Sequence, residues 1–398
     1  MDKRPSPLTG IRVLDLTRLL PGPVCTLHLA DLGAEVIKVE DTGIGDYARN
    51  MGVEEGQLSP LFIAINRNKK SFSVDLKTKS GKSVFIELLK TADVLIEGFR
   101  PGVMERLGLS YEQCKEHKSS IVYCSITGYG QDGPYKFKAG HDINYIGYAG
   151  VLSQIGTKGG MPAIPNLQVG DILGGALVPA MTVLAALLEA QKTNQGRQID
   201  ISMTDAVLAH NYQALVEVVK SGKAGKRGGE ILSGREPCYG VYKTLDERFL
   251  AVGALEQKFW KQLCQAIGRS DLEPIHWENP DADFEYGKSE LSKVFASKTQ
   301  AHWVSVFENK DCCVSPVLNL DETMLNDQIK FREMVFFADH PISGKSLQFS
   351  TPFKMSEFGI AANLPAPRQG EHTVEIMKEL GFSETEIRVL GPTLKFDQ

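Results

Sequence analysis

Three side chains, His141, Asp171 and Glu256, are of the types needed to move a proton next to a carbonyl group. They stand in Gly140-His141-Asp142-Ile143-Asn144-Tyr145, in Val169-Gly170-Asp171-Ile172-Leu173-Gly174-Gly175 and in Val252-Gly253-Ala254-Leu255-Glu256. Such a transfer needs a base of tuned pKa, an acid on the opposite face of the carbon, and donors for the developing enolate oxygen. One His and two carboxylates supply the first two, and backbone N–H groups at a helix start near Asp142 suit the third. Singly, each residue has a plainer reading: a His after Gly opens a helix, and an Asp before a Gly-rich stretch caps or turns the chain. The elements around them have to decide.

Those elements alternate. Ile11–Leu16 reads as an apolar strand, Pro21-Gly22-Pro23 as a turn, Val24–Leu32 as a helix stopped by Gly33, and Glu35–Val39 as a second strand. The pattern continues with a strand near Ser71–Asp75, a helix over Ser80–Leu89, and strands at Val94–Glu97, Ile121–Ile126 and Gln198–Ser202. Strands alternating with helices predict a parallel sheet covered on both faces. The apolar run Ile172–Leu188 is shorter than the roughly 20 residues of a membrane span and contains Gly174, Gly175 and Pro179, so a buried core helix is expected.

A Gly/Lys-rich segment, 220–229, reads as a mobile linker. Beyond it, Gly240–Thr244 and Phe249–Val252 predict a hairpin, followed by helices over Gln257–Ile267, Ser289–Phe295 and Ala301–Phe307. The expected organisation is therefore a large domain over 1–222, a smaller α+β domain over 230–328, and a C-terminal part, 329–398, that returns to the large domain. That last part carries a loop at Pro365-Ala366-Pro367 and short helices at His372–Leu380 and Glu384–Leu390.

Composition sets the class. The 398 residues are 42% hydrophobic, 23% charged and 8% aromatic, as in a globular protein. A formal charge of −5 gives no global field for nucleic acid. Seven cysteines without CxxC spacing read as reduced thiols, not as a disulfide framework or a zinc site, so no metal is expected. Met1–Pro5 is followed by no apolar signal core, and Thr393–Gln398 ends in no peroxisomal tripeptide; a cytoplasmic location is expected.

Gly128-Tyr129-Gly130-Gln131-Asp132-Gly133 matches the dinucleotide fingerprint after a strand, but Pro134-Tyr135-Lys136-Phe137-Lys138 follows where a helix start has to hold the pyrophosphate. A nicotinamide or flavin site is not expected there. The segments quoted above, with Pro7-Leu8-Thr9-Gly10, Asn166-Leu167, Gly196-Arg197-Gln198-Ile199-Asp200 and Pro367-Arg368-Gln369-Gly370-Glu371-His372, resemble the class III CoA-transferase family over nearly the whole chain. The likeness is strongest to its α-methylacyl-CoA racemase branch.

The resemblance implies a Rossmann-like large domain and an interlocked homodimer in which the small domain of one chain faces the large domain of the other. It implies His141 and Asp171 as an acid–base pair supported by Glu256, acting on a 2-methylacyl-CoA of fatty acid metabolism. The CoA is then carried by the substrate, and no separate cofactor is implied. It also places CoA at Val74, Asp75, Leu76, Lys77, Gly98, Phe99, Arg100, Arg106, Gly140, Asp142 and Tyr145, where cations suit phosphates and backbone suits adenine. Asp41 stands where relatives often carry Arg, which puts one phosphate contact in question. In the transferase branch the central Asp is a nucleophile, so Asp171 alone leaves acyl transfer as the alternative. Leu20, where formyl-CoA-type transferases carry Gln, and Ser233-Gly234-Arg235-Glu236, in place of their Gly-rich loop, favour the racemase.

Overall fold

The computed structural model describes residues 5–53, 58–359 and 364–396. The chain divides into two compact units, one of residues 1–150, 165–210 and 327–398, the other of 151–164 and 211–326. The break after residue 210 falls before the expected 222, whereas the C-terminal part, from Asp327, groups with the first unit. The helix Tyr212–Ser221 groups with the second unit, as does the early excursion 151–164.

The first unit is built on strands β1 (Arg12–Leu16), β2 (Glu35–Glu40), β3 (Lys69–Val74), β4 (Val94–Glu97), β5 (Val122–Thr127) and β6 (Gln198–Ser202). These pair in parallel in the order β3-β2-β1-β4-β5-β6. The sheet is not wholly parallel: Leu394–Lys395 adds a short antiparallel edge to β3, with Leu394 opposite Val74. Two residues pair too briefly to show as a run of apolar sequence. A further antiparallel ribbon, Val335–His340 with Gly344–Phe349, also belongs to this unit.

Side chains alternate between the faces as the two-residue strand period requires. Leu14, Leu95 and Tyr123 pack on one side with the helix Lys79–Lys90 and the C-terminal helices Thr373–Glu379 and Glu384–Leu390. Val13, Val94, Val122 and Cys124 pack on the other with helices Pro21–Asp31 and Val178–Thr193. Pro21-Gly22-Pro23, expected as a turn, is the first turn of that first helix. Proline fits there because the leading N–H groups have no partner within a helix.

The apolar run near residue 180 is helical from Gly170 to Thr193 and is long and apolar enough to cross a membrane by length and composition. Its inner face, Ala180, Val183, Ala186, Leu187 and Ala190, packs in the sheet core. Its first two turns, Gly170–Leu177, are π-helical, a form that recurs at functional sites. Close packing explains the paired glycines. A Cβ at Gly175 would lie 2.3 Å from Pro21 Cβ, and one at Gly174 would lie 2.8 Å from Met203 Cα.

Charges are buried beneath the carboxyl edge of the sheet. Asp15, Lys38 and Lys69 are fully enclosed. Lys69 Nζ is 3.2 Å from Asp15, and Lys38 Nζ is 2.7 Å from Asp46 while donating to Thr17 O at 2.9 Å. Burial alone would raise the Asp15 pKa, but Lys69, Lys38 and the hydroxyls of Thr17 and Thr26 outweigh it and hold the carboxyl at about 2.

In the second unit the hairpin forms from Tyr239–Lys243 and Phe249–Gly253, joined antiparallel by Val314–Pro316. Helices Gln257–Ala266, Phe284–Phe295 and Gln300–Phe307 cover it around Trp260, Phe295 and Trp303. The Gly/Lys-rich segment is not a free linker. Arg227 Nε donates to Ser153 O at 2.8 Å and anchors it.

Candidate active site

In a doubly wound sheet the strand order reverses beside β1, and the loops leaving the carboxyl ends of β1 and β4 diverge to open a crevice. A cavity of about 540 Å³ lies there. Thr17, Arg18 and Leu19 after β1, Gly98, Phe99 and Arg100 after β4, and Gly128 and Tyr129 after β5 form its walls. Gly140, His141, Tyr145 and Asp171 complete it.

His141 precedes the short helix Asp142–Tyr148 in extended conformation. Tyr145, one turn on, folds back and donates from its hydroxyl to Gly140 O at 2.6 Å. The ring leaves no room at that backbone: a Cβ on Gly140 would come within 2.8 Å of Tyr145 Cε1 and 2.7 Å of the Tyr129 hydroxyl. Glycine before the histidine is therefore a packing requirement. Asp171 is half-buried in the π-helical segment, and its pKa is raised to about 7, first by burial and then by the charge of Asp142. A carboxyl near neutrality can both give and take a proton. The Asp142 carboxylate Oδ1 accepts from Gly170 N at 2.6 Å and from Asp171 N at 3.0 Å.

The structure thus brings His141, Asp171, Gly98, Phe99, Arg100, Gly140 and Tyr145 together. Val74, Asp75, Leu76 and Lys77 do not line this cavity; Val74 ends β3 and the other three follow it, with Asp75 N donating to Thr393 O at 2.9 Å. Arg106 lies exposed on the helix Val103–Leu107, also outside the lining. Glu256 belongs to the second unit, at the N-cap of the helix Gln257–Ala266. The carbonyl of Leu255 just before it is gripped by Trp277 Nε1 at 2.6 Å and His276 Nε2 at 2.8 Å.

Several contributors escape the sequence reading. Leu19 is held at φ 67°, a left-handed conformation costly for a leucine, by donating its N–H to Asp46 Oδ1 at 2.9 Å. Arg18 pairs with Asp41 at 2.8 Å and lies over the rings of Tyr47 and Phe99. Asp41 therefore orients a neighbouring arginine at the rim of the cavity. Lys136 and Lys138, in the stretch that breaks the dinucleotide fingerprint, line the same rim. Glu97 is buried beneath the Gly98–Arg100 loop and accepts from Phe99 N at 2.8 Å; burial pushes its carboxyl up to about 7. A glutamate ending an apolar strand was the available signal. Among the described residues no cluster of three His, Cys, Asp or Glu has metal-binding geometry, and all seven cysteines are free thiols.

The family model for CoA-transferase family III matches residues 8–373. The chain is 36% identical to alpha-methylacyl-CoA racemase of Mus musculus over 383 residues, 96% of this chain and 95% of the relative. It is also 32% identical to human succinyl-CoA:glutarate CoA-transferase over 379 residues, 94% of this chain and 86% of that one. A CAIB/BAIF family protein from Brucella suis superposes with a TM-score of 0.82 at 27% identity, covering 95% of this chain and all of its own.

Proposed function

The chain belongs to CoA-transferase family III, and we propose that within it the protein is a racemase of 2-methylacyl-CoA thioesters. The observation that carries this reading is the pairing of His141 with a carboxyl poised near neutrality, Asp171, on the wall of one cavity. One of the two takes the α-proton, and the C–H electron pair moves into the thioester as an enolate. The other returns a proton to the opposite face. The configuration inverts, nothing is oxidised, and the reaction as written draws on no metal or redox group.

Arg18, Arg100, Lys136 and Lys138 give the rim a positive charge suited to the phosphates of CoA, with Val74–Lys77 and Arg106 proposed as further contacts. Glu256 is proposed as the carboxylate supporting His141, in a homodimer. Exposed Leu177, Met181, Leu188, Leu215 and Val219 fit such self-association, and the free thiols fit a reducing cytoplasm.

A second reading draws on the transferase relatives. There the Asp171 carboxylate attacks the thioester, forms an acyl anhydride and expels CoA thiolate. Incubation with 2-methylacyl-CoA and succinate separates the two. The racemase reading expects no succinyl-CoA, and its formation at a rate matching turnover overturns that reading.

A further inference from the structure

We propose that Asp142 is a positioning residue that couples the two proton-transfer groups: its side chain fixes Asp171 in place and supplies the charge that Asp171 faces. The inference rests on the reading of Asp171 as an acid–base group.

Its geometry stands independently. The first N–H groups of a helix have no acceptor within it. Here two of them, Gly170 N and Asp171 N, donate to one oxygen of a residue 28 and 29 positions away in sequence. These are charge-assisted bonds, among the stronger kind. The carboxylate is wedged as well as bonded. A Cβ on Gly170 would stand 3.0 Å from that same Oδ1, 3.4 Å from Tyr145 Cβ and 3.5 Å from Ile146 Cγ2. Asp142 is also the residue next to His141 and the first of its helix. A movement of Asp142 therefore displaces both groups at once.

The same oxygen that accepts these bonds brings a negative charge to Asp171. The π-helical segment packs against helices Pro21–Asp31, Met203–Ala209, Val178–Thr193 and Asp142–Tyr148, and against β6. Besides Asp142 itself, these carry Cys25, His28, Asp31, Asp205, Glu189, Lys192, Tyr145, Tyr148 and Asp200 as titratable groups, with His141 beside the helix Asp142–Tyr148. Asp142 is the one whose charge opposes ionisation of Asp171, adding to the effect of burial. Tyr145 feels the pair in turn, its phenol pushed up by burial and by Asp171 and Asp142.

The two roles separate by substitution. Asp142→Asn keeps an acceptor oxygen and removes the charge, whereas Asp142→Ala removes both. The titration of Asp171 is followed by carbon-13 NMR of carboxyl-labelled aspartate, with its resonance assigned by its absence from Asp171→Asn. Asp142→Asn is expected to lower the Asp171 midpoint by about one pH unit, the scale on which one nearby like charge acts. The acid limb of kcat/KM shifts with it. Asp142→Ala lowers the same midpoint and also loses about 10²-fold in kcat, as misplacement of a catalytic group does. If Asp142→Asn does not fold, Gly170→Ala, which crowds the same oxygen, must lower the midpoint instead. An unchanged Asp171 titration in the folded variant overturns the proposal. Absence of α-proton exchange in the unsubstituted protein, with the NMR shift present, overturns the racemase reading alone.

Discussion

Asp171→Asn should make the protein more stable while disabling it, and the size of the effect follows from the environment of the carboxyl. The pKa of Asp171 is raised from 3.8 to about 7 by burial and by Asp142. A raised acid favours the folded state below the unfolded pKa, and that advantage is lost as pH climbs through the folded value. At pH 8 the side chain is ionised in both states, and the folded state bears a cost of about 4 kcal/mol at about 1.4 kcal/mol per unit. Partial contact with water reduces this to about 3 kcal/mol. Asparagine has the same shape and no charge, so Asp171→Asn is expected to gain about 3 kcal/mol at pH 8. At about pH 5 the folded carboxyl is protonated, and the gain falls below half of that. Urea unfolding of both proteins at the two pH values, with equal slopes, reads the difference directly. A gain independent of pH, or none at pH 8, would refute the claim that Asp171 is held near neutrality by its surroundings.

Three further outcomes are expected. His141→Ala and Asp171→Asn each slow racemisation by about 10²–10⁴, and each retains solvent exchange of the α-proton with only one enantiomer, opposite in the two variants. Equal loss from both enantiomers, followed by proton NMR in deuterated water, would exclude a two-base mechanism. Lys38→Met strands the buried Asp46 carboxylate without its ammonium partner, and the urea midpoint should report a loss of about 3–5 kcal/mol. Gly175→Ala drives a methyl into Pro21; thermal unfolding should show a loss of about 1–3 kcal/mol from overpacking.

What could be read from the sequence was what has a local cause. β4 and β6 match the expected Val94–Glu97 and Gln198–Ser202 to the residue, and the helix Glu384–Leu390 does likewise: β4 is an unbroken apolar run closed by Glu97, β6 alternates, and Ser383 caps the helix start. The helix starts at Pro21 where a turn is expected, because two prolines flanking a glycine suit a turn and a helix's first turn equally. The ribbon Val335–His340 with Gly344–Phe349 has no clear sequence signal, because its strands, Val-Phe-Phe-Ala-Asp-His and Gly-Lys-Ser-Leu-Gln-Phe, do not alternate cleanly. His141 and Asp171 could be proposed from their flanking segments. The left-handed Leu19, the Arg18–Asp41 pair and the bonds that the π-helical turn donates to Asp142 could not, since each depends on residues far apart in sequence meeting at the edge of the sheet.

Exchange of the α-proton of an acyl-CoA in this cavity can be followed in a single experiment. A single enantiomer of 2-methylacyl-CoA is incubated with the protein in deuterated water, without any acceptor acid, and followed by proton NMR and chiral analysis. Deuterium is expected to enter the α-carbon as the configuration scrambles. Retention of the α-proton and of configuration, with a hydroxylamine-trapped acyl group on Asp171, would contradict the racemase reading.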